Sequence, residues 1–86
     1  MEELKHLRKK IDEVDEQILR SLNERLRICE LIGSAKEKMG ISVRDPEREK
    51  EVYRHVRERA STFGLDPLQV EAVYREIVNM CSSVQE

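Results

Sequence analysis

The sequence predicts an all-α fold of three helices, one long and two short. Three observations carry that expectation. Aromatic residues make up only 3% of the 86 residues and charged residues 40%, so apolar burial must come from Leu, Ile, Val and Met arranged in stripes. A heptad runs from Leu4 through Ile11, Ile18, Arg25, Ile32 and Met39, with Leu7, Val14, Ser21, Ile28 and Ala35 on the other seam position. Finally, Asp45-Pro46 and Asp66-Pro67 each place an N-capping carboxylate before a proline that suits the first helical position, where a backbone N–H would be unpaired anyway.

The first helix is expected over about 2–39, where no proline interrupts the pattern, giving a rod of roughly 57 Å at 1.5 Å per residue. Gly40 suits the left-handed position beyond its end, and Lys36 and Lys38 complement the negative end of the helix dipole. Gly33 leaves two readings open. It either breaks the rod into a hairpin and a monomeric bundle, or it forms with Ser34 and Ala35 a small-residue site for close helix packing.

The loop Gly40 to Arg44 is short and favours an antiparallel return. The second helix is expected over about 46–63, with Val52, Tyr53, Val56, Ala60 and Phe63 as its apolar face and Gly64 ending it. The third, over about 67–84, starts with Asp66 as cap, Gln69 closing a capping-box-like pair and Leu65 placed to staple onto Val70. Val70, Val73, Tyr74, Ile77, Cys81 and Val84 mark its apolar stripe. Helices of about 18 residues span roughly 27 Å, half of the first. A second copy of the chain covering the remaining seam gives an intertwined homodimer.

The length allows one domain with a thin core, burying only about 60% of the surface its unfolded chain exposes. Sixteen basic and 18 acidic residues are interspersed for a net charge of −2, which offers no uniform field for nucleic acid. The start Met1-Glu2-Glu3 has no signal-peptide pattern, and no apolar run approaches the roughly 20 residues that span a bilayer. A soluble cytoplasmic protein without membrane contact is the expectation. Cys29 and Cys81 form no CxxC, and His6 and His55 stand apart, so neither a metal site nor a disulfide is expected and both cysteines read as reduced, half-buried thiols.

Several polar residues sit where structure alone would not place them. Arg25 occupies an apolar seam position, where a guanidinium is costly unless it meets an anion, snorkels to water or sets register. Lys36 projects within about 20° of Arg25, roughly 16 Å further along the helix. Arg48 puts a positive charge in a first turn whose dipole favours acids. Arg8 points about 100° away from Arg25 at roughly 25 Å, so the two meet on one small ligand only across a dimer. Asp45 and Glu49 accompany Arg48 at the mouth of the second helix. Gln85, one turn beyond Cys81, reads by itself as a polar helix end.

Taken together, Leu7-Arg8-Lys9-Lys10-Ile11-Asp12, Glu24-Arg25, Gly33-Ser34-Ala35-Lys36 and Val43-Arg44-Asp45-Pro46-Glu47-Arg48-Glu49 resemble the all-helical (AroQ-type) chorismate mutases over about residues 4–85. The resemblance implies an intertwined three-helix homodimer. It also implies a cofactor-free, metal-free rearrangement of chorismate to prephenate on the way to phenylalanine and tyrosine. Arg25 and the partner subunit's Arg8 would hold the two substrate carboxylates. Lys36 would reach the ether oxygen and a carboxylate, and Gln85 would donate to the same oxygen. Glu49, with the neighbourhood of Asp45, would hold the ring hydroxyl, while Arg48 and Cys81 would line the pocket. Cys81 departs from the pattern, since several members carry Ser or another polar residue there. A [3,3]-sigmatropic shift needs no nucleophile, only a locked dianion and donors aimed at the breaking C–O bond.

Two alternatives remain open at this level. One is an isochorismate pyruvate lyase on the same scaffold, whose members typically lack the acidic pair Asp45 and Glu49. The other is a non-enzymatic helical dimerisation module. The residues also leave open whether the chain acts alone or was cut from a fusion with another enzyme of the aromatic pathway.

Overall fold

A computed structural model describes residues 1–86 as three α-helices without strands: α1 (Glu2–Met39), α2 (Pro46–Thr62) and α3 (Pro67–Gln85). Their ends follow local chemistry. Asp45 Oδ1 accepts from the Arg48 N–H at 3.1 Å, and Asp66 Oδ1 accepts from the N–H groups of Leu68 at 2.9 Å and Gln69 at 3.4 Å. The Gln69 side chain returns no bond to Asp66, so only half of the expected reciprocal cap forms. Gly40 (φ 67°) closes α1 with two bonds, from its own N–H to Glu37 O and from Ile41 N–H to Lys36 O. Gly64 (φ 72°) closes α2 in the same way through Leu65 N–H and Ala60 O.

Of the two readings of Gly33, close packing is the one found. The rod α1 continues through it, and a Cβ added there would meet Gln85 Cγ at 2.9 Å and Gln85 Cα at 3.0 Å. A glycine lets α3 approach α1 to a distance that alanine would forbid.

The third helix lies between the other two. It packs against α1 and against α2, while α1 and α2 do not pack on each other. Residue pairings set the directions: Cys29 meets Cys81 and Gly33 meets Gln85, so α3 runs parallel to α1. Arg57 meets Glu71 and Arg44 meets Asn79, so α2 runs antiparallel to α3. An open wedge is left between α1 and α2, walled on its third side by α3.

Tyr53, Val56, Ala60, Val78 and Cys29 form the core. Phe63, expected in it, is 67% exposed and lies under the Arg59 guanidinium instead. On α3, Val73 and Val84 are exposed, and Val78 and Ser82 are buried in their place. The shift follows from the wedge, because a helix gripped from two sides buries a face beyond its most apolar stripe.

Every residue from Met1 to Ser21 is exposed, including Leu4, Leu7, Ile11, Val14 and Ile18 of the seam. The chain exposes 7189 Å², whereas a compact monomer of its mass would expose about 5,300 Å². Its radius of gyration is 16.3 Å, against about 12 Å for a compact chain of this length.

Candidate active site

The wedge holds a cleft of about 370 Å³ lined by Arg25, Lys36, Asp45, Arg48, Glu49, Cys81 and Gln85, with Ile28, Ile32, Val43, Val52 and Val78 as apolar wall. All the expected site residues but one are thus brought together. The exception is Arg8, which lies on the bare N-terminal part of α1, away from the cleft.

Lys36 leaves the last turn of α1 and donates to Val43 O at 2.6 Å and to Gln85 Oε1 at 2.9 Å. The turn at Gly40 brings Val43 back within its reach. An ammonium has three donors, so one remains for a ligand. Lys36 also fixes the amide of Gln85. With Oε1 engaged, the NH₂ is the end free to donate, and Nε2 lies 3.3 Å from Cys81 Sγ. The residue that reads by itself as a loose helix end is therefore half-buried, seated on Gly33 and held by a lysine.

Arg25 is half-buried, and its Nη1 donates a long hydrogen bond to Cys29 Sγ at 3.8 Å. Neither Arg25 nor Lys36 has a carboxylate partner, whereas Arg44, Arg48, Arg57 and Arg75 all do. Two unneutralised cations in an apolar-walled cleft make a site for an anion, since a half-buried charge without a counter-ion is costly. Asp45 spends Oδ1 on the helix cap. Glu49 accepts from Arg44 Nη1 at 3.1 Å and keeps capacity for a hydroxyl donor. Arg48 stands at the rim, 67% exposed and 3.6 Å from Glu51.

The two cysteines correct the sequence reading. Cys29 and Cys81 are joined in a disulfide, not held as reduced thiols, and both line the cleft. Their 52-residue separation matches no local motif. The pairing arises only because α3 runs parallel to α1 in this register. Arg44 is a second residue whose role the sequence did not reveal: it bridges Glu49 to Asn79 Oδ1, both at 3.1 Å, tying the entry of α2 to α3.

The chain resembles known proteins in both sequence and fold. The profile of the family described as chorismate mutase type II matches residues 7–86. The chain is 42% identical over its full length to the bifunctional chorismate mutase/prephenate dehydratase of Aquifex aeolicus, of which it spans 25%. It is 38% identical to a chorismate mutase of Methanocaldococcus jannaschii, with 77% of this chain and 67% of that protein aligned. A T-protein of Enterobacter agglomerans is 34% identical over 88% of this chain, which spans 20% of that protein. Among solved structures, a conserved hypothetical protein of Pyrococcus furiosus superposes with a TM-score of 0.75 at 34% identity, covering 96% of this chain and 95% of that one. The family match covers all but the first six residues and takes in every residue that lines the cleft, and by that match the chain belongs to the chorismate mutase type II family.

Proposed function

We propose that this chain catalyses the rearrangement of chorismate to prephenate, in a homodimer whose two sites each borrow one arginine. The observation that carries the reading is the pair of cations without counter-ions, Arg25 and Lys36, in one cleft with an amide whose orientation Lys36 sets. Arg25 takes one carboxylate of the dianion, and Arg8 of the partner subunit takes the other. Lys36 lies between a carboxylate and the ether oxygen, and the Gln85 NH₂ donates to that oxygen. As the C–O bond breaks, negative charge grows between two donors that are already in place, the arrangement that lowers such a barrier most. Glu49, steadied by Arg44, accepts from the ring hydroxyl, with Asp45 beside it and Arg48 closing the rim. Cys81 contributes wall rather than a bond to a carboxylate. The walls Ile28, Ile32, Val52 and Val78 compress the reacting carbons together and exclude water.

The dimer is supported by exposed surface. The excess over a compact monomer is about 1,900 Å² per chain, in the range that permanent homodimers bury. It concentrates on the seam Leu4 to Ile18 and on an adjoining groove where Val14, Ile18 and Leu22 of α1 face Val70, Val73 and Ile77 of α3. On this reading the exposed apolar seam of a second copy covers that groove and brings a foreign Arg8 toward the site. The cytoplasm is the proposed setting; no helix is long and apolar enough to cross a membrane. Because the Aquifex relative is bifunctional, association with another enzyme of the aromatic pathway belongs to the same proposal.

The test is direct. Purified chain mixed with chorismate should consume its ultraviolet absorbance and yield prephenate, with no cofactor added. A folded dimer that leaves chorismate unchanged would make the chain a helical dimerisation module, and release of pyruvate from isochorismate would make it a lyase.

A further inference from the structure

The disulfide lies closer to the reacting groups than a structural staple needs to. Cys29 and Cys81 both line the cleft, Arg25 Nη1 is 3.8 Å from one sulfur and Gln85 Nε2 is 3.3 Å from the other. The spacing is also regular. Gly33 is four residues beyond Cys29, and Gln85 is four residues beyond Cys81. In two parallel helices the bond and the glycine seat are therefore consecutive rungs, one turn apart. Fixing the first rung fixes the axial register of the second.

We infer that the Cys29–Cys81 disulfide is a positioning element for Gln85, and that the turnover of the enzyme depends on its oxidation state. The inference rests on the reading of the cleft as a mutase site. Gln85 is the last residue of α3, and beyond it only a Glu86 N–H to Ser83 O bond of 3.3 Å continues the backbone pattern. Helix ends of this kind open at little cost. Four restraints hold this one: the disulfide, the burial of Ser82, the seat on Gly33 and the Lys36 bond. Only the disulfide is covalent.

A dithiol reductant would cleave the bond by exchange. One of its thiolates attacks a cysteine sulfur, its second thiol resolves the mixed disulfide, and the reductant leaves oxidised as Cys29 and Cys81 each gain one electron and one proton. The terminal turn of α3 is then free to fray or slide, and a slip of one residue moves Gln85 by about 1.5 Å. Arg25 is on α1 and keeps its place, so substrate binding is spared while the ether-oxygen donor is lost for part of the time.

The experiment compares kcat and KM of the dimer with and without dithiothreitol, at a temperature where circular dichroism shows both forms folded, with thiols counted after denaturation. Reduction should lower kcat about three- to tenfold, a fraction of the 10²–10³ that complete loss of one transition-state donor costs, and leave KM within about twofold. Cys29→Ser should behave as the reduced enzyme and ignore dithiothreitol. Gln85→Ala, already slow, should show no further fall on reduction, because no amide remains to be positioned. Amide hydrogen exchange supplies a readout independent of turnover: reduction should speed exchange over residues 82–86 and leave Tyr53 to Ala60 protected. An unchanged kcat in the reduced enzyme overturns the inference, as does an equal fall in Gln85→Ala or unchanged exchange at the end of α3. Lack of mutase activity in the oxidised chain would instead strike the functional reading, and exchange would still decide whether the bond positions Gln85.

Discussion

Gln85 shows how much one neutral amide can carry. Held through Oε1 by Lys36, it keeps a neutral NH₂ donor at any ordinary pH, which in the proposed mechanism serves the ether oxygen, where an ionised carboxylate could only accept and would repel the growing charge. Gln85→Glu should accordingly lower kcat by about 10²–10³ at neutral pH and recover as the medium is acidified. Recovery needs fairly acid conditions, because Lys36 beside the new carboxyl favours its ionised form. A pH profile of kcat is the measurement, and a variant that tracks the wild type throughout would remove α3 from the mechanism. Gly33 tests the same residue from beneath. Alanine there gains about 1 kcal/mol of helix propensity, yet its Cβ would lie 2.9 Å from Gln85 Cγ and 3.0 Å from Gln85 Cα, so the side chain and the end of α3 must both move, and a shift of about 1 Å can cost about 10² in rate. Gly33→Ala should remain folded by circular dichroism while kcat falls about ten- to a hundredfold, and undiminished kcat would mean that Gln85 tolerates the push.

Among the elements, the contact between α2 and α3 is where charge most clearly supports packing. Glu71 accepts from Arg57 on the facing helix and from Arg75 Nη2 at 2.8 Å one turn along its own, and Arg75 in turn lies 4.5 Å from the centre of the Tyr53 ring. The Arg57 hydrogen bond first, and that of Arg75 second, hold the Glu71 carboxyl below its usual value of 4.5. Since the folded-state pKa is the depressed one, the carboxylate contributes stability above the unfolded-state pKa, and that contribution is lost as pH falls through the folded-state value. Glu71→Gln should therefore melt at a lower temperature than the wild type at pH 7. The gap should close below the folded-state pKa, and a gap that persists in acid would assign it to packing instead of charge. The helix boundaries themselves were legible from local chemistry, because Asp45, Asp66, Gly40 and Gly64 act on backbone groups within a few residues. The buried faces were read less well. Phe63, Val73 and Val84 look apolar in one dimension, but which side of a helix is covered depends on where its neighbours lie.

At the scale of the whole molecule, the proposed site takes its last arginine from a second copy of the chain. We expect light scattering to give about twice the 10.2 kDa chain mass, and a folded monomer at micromolar concentration would defeat the shared site. Arg8→Ala and Arg25→Ala dimers, each nearly inactive, should regain activity when mixed and re-annealed, because a mixed dimer contains one site with both arginines. Recovery of up to about a quarter of wild-type activity is expected from statistical pairing of equal subunits, half the dimers being mixed with one good site each. Activity no higher than the parents' would place both arginines in the same site of one chain, or neither in any.

By itself the sequence determined three helical segments, the caps at Asp45, Asp66, Gly40 and Gly64, and the residue set Arg25, Lys36, Asp45, Arg48 and Glu49, because these depend on periodicity and on groups close along the chain, whereas the continuity of the rod through Gly33 waited on the structure. Only the tertiary structure decided that Gly33 seats Gln85, that Arg44 steadies Glu49 and that Cys29 and Cys81 are joined. Each of the first and last pairs spans 52 residues and exists because two helices lie parallel in one register. Register is a relation between helices in space, and neither helix's own residues encode it.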